Sequence, residues 1–168
     1  NMIVCGVVCD SFNSDFQAIF NDYSSTTTDL LYGIRIELDP SNKIQASIRT
    51  PNGDYATYSL QNINSGEWYN VSVIVDRQTE KLRLFVNGIY QSEHFIDSTF
   101  NYIENVHLNV GRIVFNETTS FGFDGSVDDI RIYNRALDTS EINALYHERG
   151  WPLPPITYTL SHSVIGSG

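Results

Sequence analysis

The sequence predicts an all-β domain, and three observations carry that prediction. Segments rich in Val, Ile, Tyr, Phe and Thr recur up to residue 133, turn signals separate them, and no helical period runs through them. A chain of 168 residues has the size of one domain, and all-β domains often exceed the average length without dividing. Many short strands in one domain indicate a sandwich or a barrel.

We predict ten strands, at 2–9, 16–21, 32–38, 43–49, 54–60, 68–75, 81–87, 89–95, 105–112 and 125–133. Asn87-Gly88 predicts a tight type I′ hairpin between two of them, because both residues tolerate positive φ. Within 68–75, Val71, Val73 and Val75 share one face while Ile74 lies on the other. This strand is therefore expected to be central and covered on both sides.

One helix is predicted after the strands. Asp138 is followed three residues later by Glu141, which is the pattern of a capping box. Ile142, Leu145 and Tyr146 then form one apolar face. The helix is expected to end before Gly150 and Pro152.

The chain after the helix has a different composition. Residues 152–155 read Pro-Leu-Pro-Pro, which predicts a stiff extended spacer, and residues 156–160 predict one further strand. We therefore divide the chain into a domain at 1–150 and a segment at 151–168 that holds the spacer and the extra strand.

Charge and hydropathy exclude two classes of partner. The chain has 20 acidic and 10 basic residues, a net charge of -10, so its mean surface field repels nucleic acid. No window reaches the roughly 18 consecutive apolar residues of a membrane-spanning helix, so no membrane insertion is expected. Cys5 and Cys9 lie about 13 Å apart on one face of an extended strand, which predicts two buried free thiols.

Several stretches resemble a known family. Residues 121–137, followed by the helix, resemble the closing segment of laminin G-like domains in the concanavalin A-like superfamily, and 111–142 distantly resemble pentraxins. Residues 66–73 and 82–88 resemble the family's central Trp strand and hairpin. The resemblance implies a two-sheet antiparallel jelly-roll sandwich with one short C-terminal helix. The one or two strands that usually open the family have no counterpart before Met2, and residues 156–160 are a candidate replacement.

Catalysis is not expected. Glycoside hydrolases that share this architecture need two carboxylates across a cleft, and the Glu-x-Asp-x-x-Glu string of the laminarinase-like group is missing from the sequence. Asp128 and Asp129 are consecutive in a predicted strand, so their side chains are expected on opposite faces, which predicts a structural role.

Calcium is the one cofactor that the resemblance implies, either structural or bridging a ligand. Ca²⁺ takes six to eight oxygen ligands, commonly from loops. The candidate ligands are Asp29, Asn116, Glu117, Asp128 and Asp129.

Sugar binding would use exposed aromatic rings beside amide and carboxylate groups. The candidate ligand-binding residues are Tyr23, Tyr55, Tyr58 and Tyr90. The alternative, that each Tyr is present for its strand propensity alone, stays open.

The sequence thus favours a non-catalytic binding module within a larger adhesin or secreted protein, with a glycan, a glycoconjugate or a surface protein as partner. Its expected location is extracellular, at a cell surface or on a virion. The alternative is a structural subunit of a surface filament or virion appendage, in which the C-terminal strand is exchanged between copies to form a homo-oligomer. An enzyme is the third hypothesis.

Overall fold

The computed structural model describes residues 1–22, 24–25, 31–50, 52–97, 108–115 and 119–148. These residues form two antiparallel sheets, a small hairpin and one helix, which confirms the predicted jelly-roll sandwich. The elements are β1 Met2–Cys9, β2 Gln17–Asn21, β3 Ser24–Ser25, β4 Leu31–Leu38, β5 Ile44–Thr50, β6 Gly53–Tyr58, β7 Trp68–Asp76, β8 Lys81–Val86, β9 Ile89–Phe95, β10 Asn109–Val110, β11 Arg112–Phe115, β12 Thr119–Gly122, β13 Gly125–Tyr133 and α1 Thr139–His147.

The first sheet has the order β13-β1-β7-β8-β9 and the second β10-β2-β4-β5-β6, with β3 beside β4. Their inner faces form the main core, in which Ile3, Val73 and Leu84 of the first sheet pack with Ile36 and Ile48 of the second. Alternation along each strand produces this core, because every second side chain points inward. The prediction that the 68–75 strand is central is confirmed, since Val73 lies in this core and Ile74 faces the other way.

The helix covers the outer face of the five-stranded sheet. Ile142 of α1 packs there with Met2, Val4, Ile74 and Phe85. The predicted capping box is present, with the Asp138 side chain accepting from the Glu141 N–H and the Glu141 side chain from the Asp138 N–H. The predicted end near Gly150 lies outside the described residues, in which α1 ends at His147.

The local turn predictions also hold. Asn87 and Gly88 have φ of 52° and 72°, as the type I′ hairpin requires. The predicted strand at 105–112 is confirmed at Asn109–Val110 and Arg112 but is not continuous, because Gly111 with φ 75° separates β10 from β11. The short strands β3 and β12 were not predicted from the sequence.

Both cysteines are free and buried, as predicted. Burial raises the pKa of the Cys5 thiol to about 12 and also raises the pKa of the Cys9 thiol, whose Sγ donates to the Ser11 carbonyl at 3.0 Å. Because the thiolate is the reactive form, we expect neither thiol to react with a chromogenic disulfide reagent at pH 8 in the folded protein. Both should react after unfolding in denaturant, and fast labelling of the native protein would contradict this burial.

Candidate functional site: the polar face of the six-stranded sheet

The outer face of the six-stranded sheet carries an ordered set of polar side chains. Because Ile34, Ile36 and Leu38 of β4 point into the core, Arg35 and Glu37 point outward. The same alternation in the neighbouring strands adds further outward side chains in register. We call this set the polar face, and its members are Asn21, Arg35, Glu37, Gln45, Ser47, Arg49, Asp54, Tyr58 and Asn109.

Arg35 lies at the centre of a hydrogen-bond network on this face. Its Nε donates to Ser47 Oγ at 3.2 Å, and its Nη atoms lie 3.6 Å from Glu37 Oε1 and 3.3 Å from Asp54 Oδ2. Gln45 Nε2 donates to the same Glu37 oxygen at 3.0 Å. These contacts fix the orientation of a guanidinium, a carboxylate and an amide before any ligand arrives.

Glu37 is a buried carboxylate on the polar face. Its exposure is 1%, and burial raises its pKa, while the charge of Arg35 opposes that rise. Burial of a carboxylate is unfavourable unless it is paired and hydrogen-bonded, and Arg35 and Gln45 supply both conditions. The buried Glu37 carboxylate therefore depends on its contacts with Arg35 and Gln45.

Several groups of the polar face remain accessible, and Arg49 and Tyr58 are among them. Arg49 pairs with Asp54 at 2.6 Å, yet 38% of its side chain is exposed. The Tyr58 side chain lies opposite Gln45 in the sheet register, and Tyr58 is 41% exposed. An exposed ring beside a guanidinium, amides and carboxylates has the composition of a site for a hydroxyl-rich or carboxylate-bearing ligand.

The predicted tyrosines do not form one site. Tyr55 is half-buried against the core, with its ring centroid 5.8 Å from that of His94. Tyr90 is exposed on the outer face of the other sheet, where its ring contacts Phe85 edge-on at 5.6 Å. Tyr23 lies outside the described residues, so Tyr58 is the described member that joins the polar face.

The expectation for Asp128 and Asp129 was wrong about their directions. Asp128 pairs with Gly6 on the outer face, and a bulge follows at Asp129, whose φ is 51°. Asp129 binds both Nε and Nη2 of Arg131 at 3.1 Å, and Arg131 also points outward. The bulge cancels the alternation, so both carboxylates lie on the outer side of the sheet.

These contacts bear on the predicted calcium ligands. Both oxygens of Asp129 bind Arg131, and Asp128 Oδ1 accepts from the Asp129 N–H at 2.7 Å. Within the described part of the chain, no three His, Cys, Asp or Glu side chains are grouped to hold a metal ion. The described pair does not by itself fit a calcium site. Asp29, Asn116 and Glu117 lie outside the described residues, so calcium stays a prediction.

Comparison with known proteins places the chain in a family. A laminin G family model, described as the concanavalin A-like lectin/glucanases superfamily, matches residues 7–143. The chain belongs to this superfamily. No curated protein matches this concanavalin A-like domain at a significant level.

Solved structures with the same fold include sugar-binding modules. The CBM40 module of the Ruminococcus gnavus IT-sialidase, in complex with α2,3 sialyllactose, matches with a TM-score of 0.73 and 17% identity, over 86% of this chain and 81% of that one. A SAP-like pentraxin from Limulus polyphemus matches with a TM-score of 0.66 and 14% identity, over 90% and 72%.

The NanB sialidase of Streptococcus pneumoniae matches over 85% of this chain but only 23% of its own, with a TM-score of 0.72 and 21% identity. At these identities the likeness establishes the fold alone. Among the described residues no helix is long and apolar enough to cross a membrane.

Proposed function

We propose that this concanavalin A-like domain is a non-catalytic carbohydrate-binding module displayed outside the cytosol, and that its polar face contacts the sugar. The observation that carries the proposal is the accessible pair of Tyr58 and Arg49 beside the fixed network of Arg35, Glu37 and Gln45. The fold is that of a module solved with sialyllactose, which supports a glycan as the partner.

The chemistry of the polar face favours an acidic sugar. The Arg49 guanidinium presents a planar fork of donors that matches a carboxylate, and it is partly exposed beside Asp54. A sugar carboxylate would bind Arg49 in place of Asp54 or together with it. Side-chain amides such as that of Gln45 can hydrogen-bond sugar hydroxyls. The Tyr58 ring offers an apolar surface for one face of the sugar.

A glycan array with sialylated and neutral oligosaccharides tests this function. We expect the wild-type protein to bind a sialylated glycan, and Arg49→Gln and Tyr58→Ala each to weaken that binding roughly 10-fold or more. Arg49→Gln would lose a charge-assisted hydrogen bond of about 1.5–3 kcal/mol, and Tyr58→Ala would lose the apolar surface of the ring. Tyr90→Ala is the matched control, because Tyr90 is equally exposed but lies on the other sheet.

Three outcomes would contradict the proposal. These are an array with no bound glycan, equal losses of binding in Tyr58→Ala and Tyr90→Ala, and release of free sugar, which would indicate an enzyme.

The same array, repeated with a chelator, tests the predicted calcium. Loss of binding that Ca²⁺ alone restores would support a site that includes Asp29, Asn116 and Glu117.

We propose assembly as a second function, in which copies of the chain form a homo-oligomer by strand addition. One observation favours it. β13 is an end strand of the five-stranded sheet and exposes two isoleucines, Ile130 and Ile132. Exposed apolar side chains on an end strand are a template for a strand from another chain. Size-exclusion chromatography with light scattering over a range of protein concentrations tests this role, and a wild-type monomer at every concentration would contradict it.

A further inference from the structure

A cleft lies between the loop at 59–67, which connects β6 to β7, and the hairpin that connects β8 to β9. We call it the loop cleft. It has a volume of about 470 Å³, within the range of roughly 300–1,000 Å³ that is usual for small-molecule sites. The members of the polar face are not among the described residues that line it.

The loop that forms one wall of this cleft is fixed to both sheets. Ile63 is buried in the main core, and its N–H donates to the Asn42 carbonyl at 2.9 Å. The Leu60 N–H donates to Gln91 Oε1 of β9 at 3.1 Å. The shape of the loop cleft is therefore set before a ligand binds, which lowers the cost of ordering on binding.

A carboxylate is held in a defined orientation in the loop cleft. Glu67 Oε2 accepts from the Tyr69 hydroxyl at 2.8 Å and from Asn64 Nδ2 at 3.1 Å. These hydrogen bonds lower the pKa of Glu67, so it is ionised at neutral pH. Both contacts use Oε2, and none of the described residues donates a hydrogen bond to Oε1. Glu67 is exposed, so Oε1 can accept from a ligand hydroxyl.

The other lining residues combine apolar and amide groups. Leu60 and Ile89 are 67% and 65% exposed, which is high for large aliphatic side chains. Gln61 and Asn62 are also exposed, and each amide offers donors and an acceptor. A sugar ring has hydroxyls along its edge and C–H groups on its faces. The first suit the carboxylate and the amides, and the second suit the two aliphatic side chains.

Charge determines which sugars fit. Among the described residues that line the loop cleft, Glu67 is the only charged one. Its negative charge disfavours a ligand that carries a carboxylate or a phosphate. The polar face, where Arg49 is accessible, has the opposite preference. We propose that the loop cleft binds a neutral saccharide, with Glu67 accepting from its hydroxyls and Leu60 and Ile89 contacting its apolar face. This second site does not depend on the acidic-sugar site of the polar face.

An array of unsialylated oligosaccharides that end in galactose, glucose, mannose or an N-acetylhexosamine tests the site with the full chain. We expect wild-type protein to bind at least one of them. Glu67→Gln should weaken that binding roughly 10-fold or more, the effect expected from the loss of a charge-assisted hydrogen bond. Leu60→Ser should also weaken it, because the sugar loses apolar contact.

Glu93→Gln is the matched control, because Glu93 is an exposed carboxylate on β9 and is not among the lining residues. It should bind the neutral oligosaccharide as wild type does. Thermal unfolding of each variant shows that the fold is intact, since residues 60, 67 and 93 are all exposed. Loss of binding in Glu67→Gln and Leu60→Ser, with binding retained in Glu93→Gln, would support the proposal.

Two results would overturn the site. These are an array without a bound neutral oligosaccharide, and equal affinity of wild type and Glu67→Gln for the one that binds.

The two sugar sites can be tested separately. Arg49→Gln should lose sialylated glycans and keep neutral ones, and Glu67→Gln should do the reverse. Failure of wild type to bind sialylated glycans would contradict the acidic-sugar function and leave the loop cleft standing. Loss of both kinds of glycan in Glu67→Gln would overturn a separate neutral site, because the polar face and the loop cleft would then act as one.

Discussion

We expect Gly125→Ala to lower the free energy of unfolding by about 3 kcal/mol or more, since overpacking without space to relax is among the more costly substitutions. Gly125 begins β13 opposite Cys9. A Cβ placed there would lie 2.0 Å from the Val8 carbonyl oxygen and 3.0 Å from Cys9 Cα. These are backbone atoms of β1, so relief requires the two strands to separate.

Gly122→Ala is the control for this prediction, because a Cβ at that position meets no atom within 4 Å. Urea unfolding of both variants gives the measurement, and Gly122→Ala should stay within about 0.5 kcal/mol of wild type. Equal stability of Gly125→Ala and wild type would mean that β13 and β1 do not approach as closely as described.

The features that the sequence predicted well are those set by local rules. Asn87-Gly88 specifies its hairpin because positive φ is needed at two adjacent positions. The helix start follows from Asp138 and Glu141, which satisfy each other's backbone N–H groups. The apolar residues of 68–75 indicate a central strand because burial on both faces leaves little room for polar side chains.

The features that were not predicted from the sequence depend on contacts with residues distant in the sequence. β3 and β12 have two and four residues, and a pattern that short has no period to detect. The bulge at Asp129 places an aspartate at positive φ, a conformation that glycine adopts more readily. Arg131 supplies the contact for this conformation, and alternation within the strand alone predicts the opposite.

Part of the polar face could be predicted from the sequence. Predicted strands 32–38 and 43–49 flank the turn at Asp39, and pairing them as a hairpin aligns Arg35 with Ser47 and Glu37 with Gln45. Tyrosines considered one at a time give Tyr58 as the described tyrosine on this face. The contributions of Asn21 and Asn109 required the strand order β10-β2-β4, which no turn specifies.

Removal of the Arg35 charge should have the second large effect. We expect Arg35→Met to lower the free energy of unfolding at pH 7 by about 3 kcal/mol, because the loss of one partner leaves a buried charge without compensation. The charge in question is that of Glu37, which is buried and 3.6 Å from the Arg35 guanidinium. Gln45 alone would then hold the carboxylate.

The stability loss of Arg35→Met should depend on pH through the pKa of Glu37. Burial already raises the pKa of Glu37 above its ordinary value, and loss of the Arg35 charge raises it further. A raised carboxyl pKa means that the folded protein binds the proton more tightly than the unfolded chain. The free energy of unfolding of Arg35→Met should therefore recover relative to wild type as the pH falls through the folded-state pKa of Glu37, and the deficit should be complete above it.

Arg83→Met is the matched control, because Arg83 contacts Asp76 and Glu93 on the surface of the other sheet and neither carboxylate is buried. Ion pairs between partly exposed side chains near the surface contribute little, so its deficit should stay below about 1 kcal/mol. The double variant Arg35→Met/Glu37→Gln isolates the cause, since it removes the uncompensated charge and keeps an amide at position 37. Recovery of most of the lost stability, without the pH dependence, would attribute the loss to the charge of Glu37; an unchanged deficit would attribute it to the packing of the Arg35 side chain.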